Sequence, residues 1–376
     1  FEESVKLALD FRMIGLSLQA LDGTKIQADV SKKKAWHKED LEKLKKKLAE
    51  AVEELMSQVE SSRDEPSQQL PKEVQELLKD KERCSREVER RLEKMRELEL
   101  KHYSETDPDS RMMKGRHGID FSHNAQAIAD ADHGIIVACD VTDDESDNEQ
   151  LTPMIDQATH TQQAKAEVTT ADGGYFSGDQ LDKAETNNHE VLVNDSSMDC
   201  WNNRKDGKIF DPSHFEYDEE TDAYTCPARQ TLTFSYKTLK GSGPDKYRVY
   251  QGRSCKGCHL RDQCTKAKRG GRRIKRNSHY DAIMRNHEKI REKAETLKRR
   301  KEIIEPIFGT VKRNLGFRRW SVRGLKKVQA EWAVVCTAVN LRKIYKYLKN
   351  NGFPDVGFRV PLQKGIGEEL MIGTNA

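Results

Sequence analysis

The sequence has no long apolar run. Its most apolar stretch, Trp332–Leu341, is ten residues long and still contains Thr337 and Asn340, whereas a membrane-spanning helix needs about twenty. No secretory leader is read either, because no basic start leads into an apolar run and a small-residue cleavage site. Proline is scarce, 10 in 376 residues, which excludes collagen-like and prolamin-like compositions. Apolar residues reach only 35% and aromatic ones 7%. That is lean for a globular chain, but the length is enough for two or three structural units with real cores. The chain opens on Phe1 rather than Met, as a fragment would.

Net charge is nearly absent as well. There are 66 Lys+Arg against 63 Asp+Glu, a formal +3, although charged residues make up 34% of the chain. The balance is an average over unlike parts. Residues 104–228 hold 28 acidic and 8 basic side chains, a net of −20, and residues 229–350 hold 34 basic and 9 acidic ones, a net of +25. Asymmetry of this kind points to a polyanion partner, most simply nucleic acid. The plain alternative is a solvated basic surface. Against it, the basic residues are interleaved with Tyr247, Tyr250, Phe308, Phe317 and Trp320, a mixture able to stack on bases and neutralise phosphates. The densest basic runs are Arg272-Arg273-x-Lys275-Arg276 and Lys298–Lys301.

Along the chain, an opening helical stretch leads to Leu16–Val30, where alternation on both sides of Asp22-Gly23 predicts a hairpin. In 37–61, Leu41, Leu44, Leu48, Val52, Leu55 and Val59 recur at helical spacing. Pro66 and Pro71 separate this stretch from a second one, Lys72–Tyr103, so the two form a helical hairpin. Ile119–Asp130 and Gly134–Val141 read as adjacent strands. A short helix at Glu149–Thr159, a strand at Val168–Asp172, a helix near Gly178–Thr186 and a strand at Val191–Asn194 follow. Residues 200 to about 276 read as loop-rich, and residues 279–350 as helical. The fold class is therefore α/β, a mixed sheet with helices.

Position selects among the many carboxylates. Asp172 ends a strand and precedes Gly173-Gly174, and functional groups in open α/β sheets gather at the carboxyl ends of strands. Asp22 has a similar setting. Glu305 lies on a helix seven residues before Lys312, a spacing that returns to one face after about 10.5 Å. Three such carboxylates can hold two Mg²⁺ ions for in-line displacement at phosphorus. The competing reading is a turn for each Asp-Gly and an ion-pair partner for the Glu.

Leu21-Asp22-Gly23-Thr24-Lys25-Ile26, Ala171-Asp172-Gly173-Gly174-Tyr175-Phe176-Ser177 and Glu305-Pro306-Ile307-Phe308-Gly309-Thr310-Val311-Lys312 resemble the three catalytic segments of bacterial insertion-sequence DDE transposases. Asn124–Ala127, Gly316–Arg319, Arg323–Leu325, Ala330–Trp332 and Asn340–Arg342 extend the resemblance, which covers roughly residues 15–350. It implies an RNase H-like core of the integrase superfamily, interrupted by a helical hairpin insertion and a Cys-rich insertion. The core would begin in 1–36 with Asp22 and resume in 104–199 with Asp172. Between them 37–103 is the hairpin, followed later by the Cys-rich 200–276, the C-terminal helices 277–350 with Glu305, and an irregular tail, 351–376.

The resemblance further implies that Asp22, Asp172 and Glu305 bind two Mg²⁺, with Mn²⁺ as a substitute. The enzyme would cut DNA at transposon ends with water and join the freed 3′-hydroxyl to target DNA. It would act as a homodimer on DNA in a bacterial cytoplasm, with Lys301, Lys312, Arg318, Arg319 and Trp320 against the DNA. Apart from the resemblance, the neighbours Arg318-Arg319 place Trp320 where it could stack on an extruded base, although packing within the fold is the commoner fate of such a residue. Where the family's related signature places Tyr and Arg before the Glu, this chain has Lys298 and Lys301; Glu302 is a competing acid. Only 21 residues precede Asp22, so most of the family's N-terminal DNA-binding region would be missing. Two other classes remain: a catalytically silent DNA-binding relative, and a nucleic-acid-associated scaffold built on the 37–103 arm.

Eight cysteines are present. Cys226, Cys255, Cys258 and Cys264, spaced x28-x2-x5, form a candidate tetrahedral Zn²⁺ module in a stretch otherwise short of core; four free thiols is the alternative. Cys84, Cys139 and Cys336 sit in apolar patterns and are expected in cores, and Cys200 has no evident partner.

Overall fold

The computed structural model describes residues 1–61, 72–115, 118–195, 210–238, 247–265, 267 and 270–352. The Pro66–Pro71 loop, Cys200 and the tail beyond Gly352 lie outside the described residues. After helix α1 (Glu2–Asp10) comes strand β1 (Gln19–Gln27), the central element of the molecule. The hairpin predicted at Asp22-Gly23 is not formed. β1 runs straight through it, because β5 (Gly118–Asp130) pairs antiparallel along its whole length, from Gln19 opposite Asp130 to Gln27 opposite Ser122. Gly23 is needed there for space: a Cβ would come within 2.7 Å of Gln126 Nε2.

Between β1 and β5 the chain leaves the sheet. Short strands β2 (Ala35–His37) and β3 (His102–Ser104) pair at the root of an arm made of helices α2 (Lys38–Ser61) and α3 (Lys72–Glu97). Leu41, Val88, Leu92 and Met95 are buried at that root with Trp36 packed beside them, and Arg91 lies over the Trp36 ring at 4.6 Å. Cys84 is exposed on α3, contrary to the core position expected of it. The apolar stripe of α3 is buried only toward the root.

β4 (Arg111–Gly115), β6 (Ile136–Thr142), β7 (Thr169–Ala171) and β8 (Val191–Val193) complete the sheet, in the order β4-β5-β1-β7-β8 with β6 also on β5. β7 runs parallel to β1 and to β8. Helices cover both faces. On one, Leu21, Ile128 and Val137 meet α1, α4 (Leu151–Gln162) and α5 (Gly178–Thr186). After α6 (Arg261–Cys264) and α7 (Tyr280–Glu292), two helices close the other face. Ile304 and Ile307 of α8 (Ala294–Gly309) and Trp332 and Cys336 of α9 (Leu325–Asn351) pack there on Ala20, Ala127, Ala129 and Cys139. Alanines on the strands let the indole approach closely enough for Trp332 Nε1 to donate to the Gln126 carbonyl at 2.9 Å.

Two buried amides tie the helices to the sheet. Asn340 of α9 accepts from Ile136 N and donates to Ile136 O, and Asn286 of α7 does the same to Val193. Each satisfies a backbone donor and acceptor that would otherwise be buried unpaired, at about 1–3 kcal/mol.

The loop-rich reading of 200–276 is corrected by a five-stranded antiparallel sheet in the order β13-β12-β11-β10-β9. Its strands are β9 (Glu216–Asp218), β10 (Ala223–Thr225), β11 (Thr231–Thr238), β12 (Tyr247–Gly252) and β13 (Arg273–Arg276). Several are only three or four residues long, too short to announce themselves by alternation, and β11 is irregular between Phe234 and Tyr236. No helix among the described residues is long and apolar enough to cross a membrane.

Candidate active site

Alternation along β1 decides where its polar side chains go. Leu18, Ala20 and Ile26 face α8 and α9, so Asp22 and Thr24 face the same way. Asp22 accepts from its neighbour's amide, Gly23 N to Oδ1 at 2.8 Å, and from Arg300 Nη1 to Oδ2 at 2.9 Å. The pair is largely buried, with Asp22 19% and Arg300 11% exposed. Burial pushes the Asp22 carboxyl up to about 6; Arg300 and the Gly23 amide oppose the rise, and the charge of Asp172 adds to it.

Asp172 arrives on the neighbouring parallel strand. Ala20 pairs with Thr170, and Asp22 and Asp172 each follow two residues later, on strands spaced about 4.8 Å apart. Asp172 caps the turn Gly173–Tyr175 by accepting from Gly174 N at 2.8 Å. A Cβ on Gly173 would lie 3.3 Å from Asn194 O, and one on Gly174 would lie 3.0 Å from Asp172 Oδ1. The two glycines leave room for the carboxylate at the strand end.

A third acid, Asp147, was not singled out by the sequence. It accepts from Lys25 Nζ at 3.2 Å, Asn124 Nδ2 at 2.6 Å and Gln126 Nε2 at 2.8 Å. Asn124 and Gln126 lie directly across from Lys25 and Gly23, so the register itself assembles this cluster. Tyr175, fully buried, donates from its hydroxyl to Gln126 Oε1. Its pKa is driven well up, first by burial and then by Asp147, Asp22 and Asp172. The only sequence signal for Asp147 was the acidic run before α4, which does not distinguish one carboxylate from another.

Glu305 is exposed on α8, a helix packed across β1, β5 and β7. Arg300, Ile304 and Ile307 share its inward face. Glu305, five residues after Arg300, is turned about 140° from it. The structure therefore brings Asp22 and Asp172 together and leaves Glu305 outside their contact. Among the described residues no three His, Cys, Asp or Glu side chains are arranged to hold a metal ion. The cation that reaches Asp22 is Arg300, whereas Lys301, expected at the DNA, is exposed beside it.

The other basic candidates are held by the end of β1. Lys312 donates to Thr24 Oγ1 and, at 3.5 Å, to Lys25 O. Arg318 is exposed and bonds Lys312 O at 3.1 Å, and Arg319 is paired with Asp29 at 3.2 Å. Trp320 is corrected: it is 2% exposed, donates from Nε1 to Ile26 O at 3.1 Å and packs on Phe317 and Trp332. An indole so enclosed cannot stack on an extruded base. Its arginine neighbours gave it a surface appearance, but the backbone there joins β1 through Trp320 N to Gln27 O at 2.9 Å.

At the edge of the second sheet, Cys226, Cys255, Cys258 and Cys264 line one small cavity together with Leu232 and Arg272. Burial raises the Cys264 thiol pKa; Arg272 lowers it, and each of the other three cysteines raises it further. Gln230 N donates to Cys226 Sγ at 3.3 Å, and Gly252 and Gly271 leave the space that Cys255 Sγ fills. Cys139 and Cys336 are buried against each other between β6 and α9, as expected.

No curated protein and no solved structure matches the chain. Residues 225–345 match the family model described as "Transposase DDE domain", a stretch that contains Glu305, Lys312 and the four clustered cysteines. The match covers about a third of the chain, and over that stretch it supports the resemblance to DDE transposases, with the DNA substrate and transposition-related nuclease chemistry that such a domain implies.

Proposed function

We propose that this chain cuts DNA at transposon ends with divalent-metal assistance and joins the freed 3′-hydroxyl to target DNA, on an RNase H-like core. The observation that carries the reading is the matched register of Asp22 and Asp172 on adjacent parallel strands, beneath a helix of the matched stretch that bears Glu305. The donor set fits Mg²⁺ or Mn²⁺. Two hard carboxylates lie close enough for one to raise the pKa of the other, and Arg300 alone offsets the buried one. A divalent ion would relieve that imbalance. Asp22 and Asp172 would hold it, with Glu305 as the third ligand once α8 presents it. When bound, the metal supplies charge stabilisation at the attacking and leaving oxygens of the phosphoryl transfer.

The chain's own residues do the rest. Gly23 N and Gly174 N fix the two carboxylates, and Arg300, once its contact with Asp22 gives way, is a cation for a phosphate oxygen. Lys312 and Arg318, at the end of β1, face the backbone beyond. Cys226, Cys255, Cys258 and Cys264, which line one cavity but are not arranged as a metal cluster, would have to close around a Zn²⁺, which would then brace the second sheet. Metal content by mass spectrometry, expected at one zinc per chain, tests that part. Mn²⁺ titration by calorimetry tests the other: Asp22→Asn and Asp172→Asn should each remove the tight isotherm, and an unchanged isotherm in both would sink the assignment.

One observation favours a second reading. With Arg300 on Asp22 and Glu305 turned outward, the buried carboxylate already has a cation and the third acid stands apart, as in a catalytically silent DNA-binding relative. Such a chain would bind DNA in a salt-sensitive way and yield no Mg²⁺-dependent product.

A further inference from the structure

α8 has a second cationic face. Arg299, one residue before the Asp22 partner, lines a cleft of about 640 Å³ with Glu302 of the same helix, Lys343 and Lys346 of α9, and the β5–β6 turn at His133-Gly134. Lys343 is seated deliberately. Its Nζ donates to His133 O at 3.1 Å and occupies the place where a Cβ on Gly134, at φ +65°, would come within 2.4 Å. Burial lowers the Lys343 pKa, and the charge of Lys346 lowers it further.

Among the described residues, none of Arg299, Lys343 and Lys346 has a carboxylate within ion-pair distance, whereas nearby Arg285, Lys289 and Lys293 all do. Glu302 and Asp132 are the acids lining the cleft. Asp132, at its margin, is turned against Gly15, where a Cβ would meet its carboxylate. Three cations thus share the cleft with two carboxylates and are paired with neither at ion-pair distance, so the lining keeps a net positive charge that an anion between the cations would offset.

We propose that this cleft is a second, non-catalytic DNA-backbone site that takes consecutive phosphodiester groups. The assignment to DNA rests on the functional reading above. It also rests on the geometry of α8, where Arg299 and Arg300 project about 100° apart from one turn. The cleft and the aspartate pair thus lie on adjoining faces of one helix, and a duplex engaged at one runs within reach of the other. Asn350 and Asn351 at the rim add neutral donors of the kind that fix backbone position without reading sequence.

The test uses the full chain and a 30-base-pair duplex of about that length, followed by fluorescence anisotropy over a salt series. The double variant Arg299→Gln/Lys346→Gln should lose about tenfold or more in affinity near 0.1 M salt, with the slope of log K against log salt shallower by about two. Lys346→Arg, which keeps the charge, should retain both. Unchanged affinity and slope in the double variant would overturn the proposal. So would loss of inorganic phosphate or mononucleotide binding with duplex binding intact, since that would make it a small-anion pocket. Asp172→Asn separates the two claims. It should bind DNA with the wild-type slope, so if it still cleaves while the double variant loses binding, the catalytic reading fails and the cleft stands.

Discussion

The sheet carrying Asp22 and Asp172 is covered on both faces, by α1, α4 and α5 on one side and α8 and α9 on the other. By contrast, the sheet of β9–β13 has a buried core, among the described residues, of Phe215, Tyr224, Leu232, Tyr250 and Ile274, with four thiols at its edge. The first can carry the cost of a functional site: it buries an aspartate whose pKa is raised and still has ample apolar surface to remain folded. The second has little to spare. Small modules of this kind gain their stability from a metal, which is the role proposed for its cysteines. One region would thus spend packing energy on the proposed chemistry, and the other would draw energy from a cofactor.

The largest expected effect separates the two regions by activity. Asp172→Asn should lower DNA cleavage about a thousandfold or more, as expected when several kcal/mol of transition-state stabilisation are lost. Thermal unfolding of both sheets should be unchanged. A normal rate in this variant would remove the functional half of the comparison. Next comes the structural half. A zinc chelator should abolish hydrogen-exchange protection in 215–276 while β1, β5 and β6 stay protected, given that structural zinc contributes on the order of 10 kcal/mol. If the second sheet stays protected once metal-free, its small core suffices.

The third effect is a pH dependence of the first sheet. The Asp22 pKa is raised in the fold to about 6, above the 3.8 of the free side chain. Its contribution to stability is therefore complete below pH 4 and is lost as pH rises through 6. A shift of that size corresponds to about 3 kcal/mol at most. Urea unfolding without divalent ions should show wild type losing stability relative to Asp22→Asn between pH 4.5 and 7; parallel curves would contradict the account. The smallest effect is packing alone. Asn286→Ala, which strands Val193 N and O at the end of β8, should cost about 1–3 kcal/mol and leave metal binding as it was. A loss of Mn²⁺ binding would show that the site depends on the outer strands as well.

Much of the first sheet was legible because long strands and amphipathic helices leave periodic traces. α5 begins and ends where the sequence placed it, and Asp172 stands at a strand end before two glycines. Asp22-Gly23 misled, because the same dipeptide serves as a turn or as a close-packed strand position, and only the partner strand decides between them. The cation on Asp22 was not singled out. Spacing along α8 fixes which residues share a face but not which face meets the sheet, so nothing in the sequence marks Arg300 for that contact. Asp147 depends on three side chains brought together across β1 and β5, and no linear pattern records such a meeting. The short strands β9, β10 and β13 fell below the length at which alternation is visible.

The central claim is that Asp22 and Asp172 form one divalent-metal site on which DNA cleavage depends. Its most direct test is Mg²⁺-dependent cutting of DNA carrying the ends that flank this reading frame, by the wild-type chain and by Asp172→Asn side by side. The account predicts nicked and joined products from the wild type and none from the variant, with DNA binding equal in both. Equal cleavage by the two chains, or binding without product from the wild type in either Mg²⁺ or Mn²⁺, would contradict it.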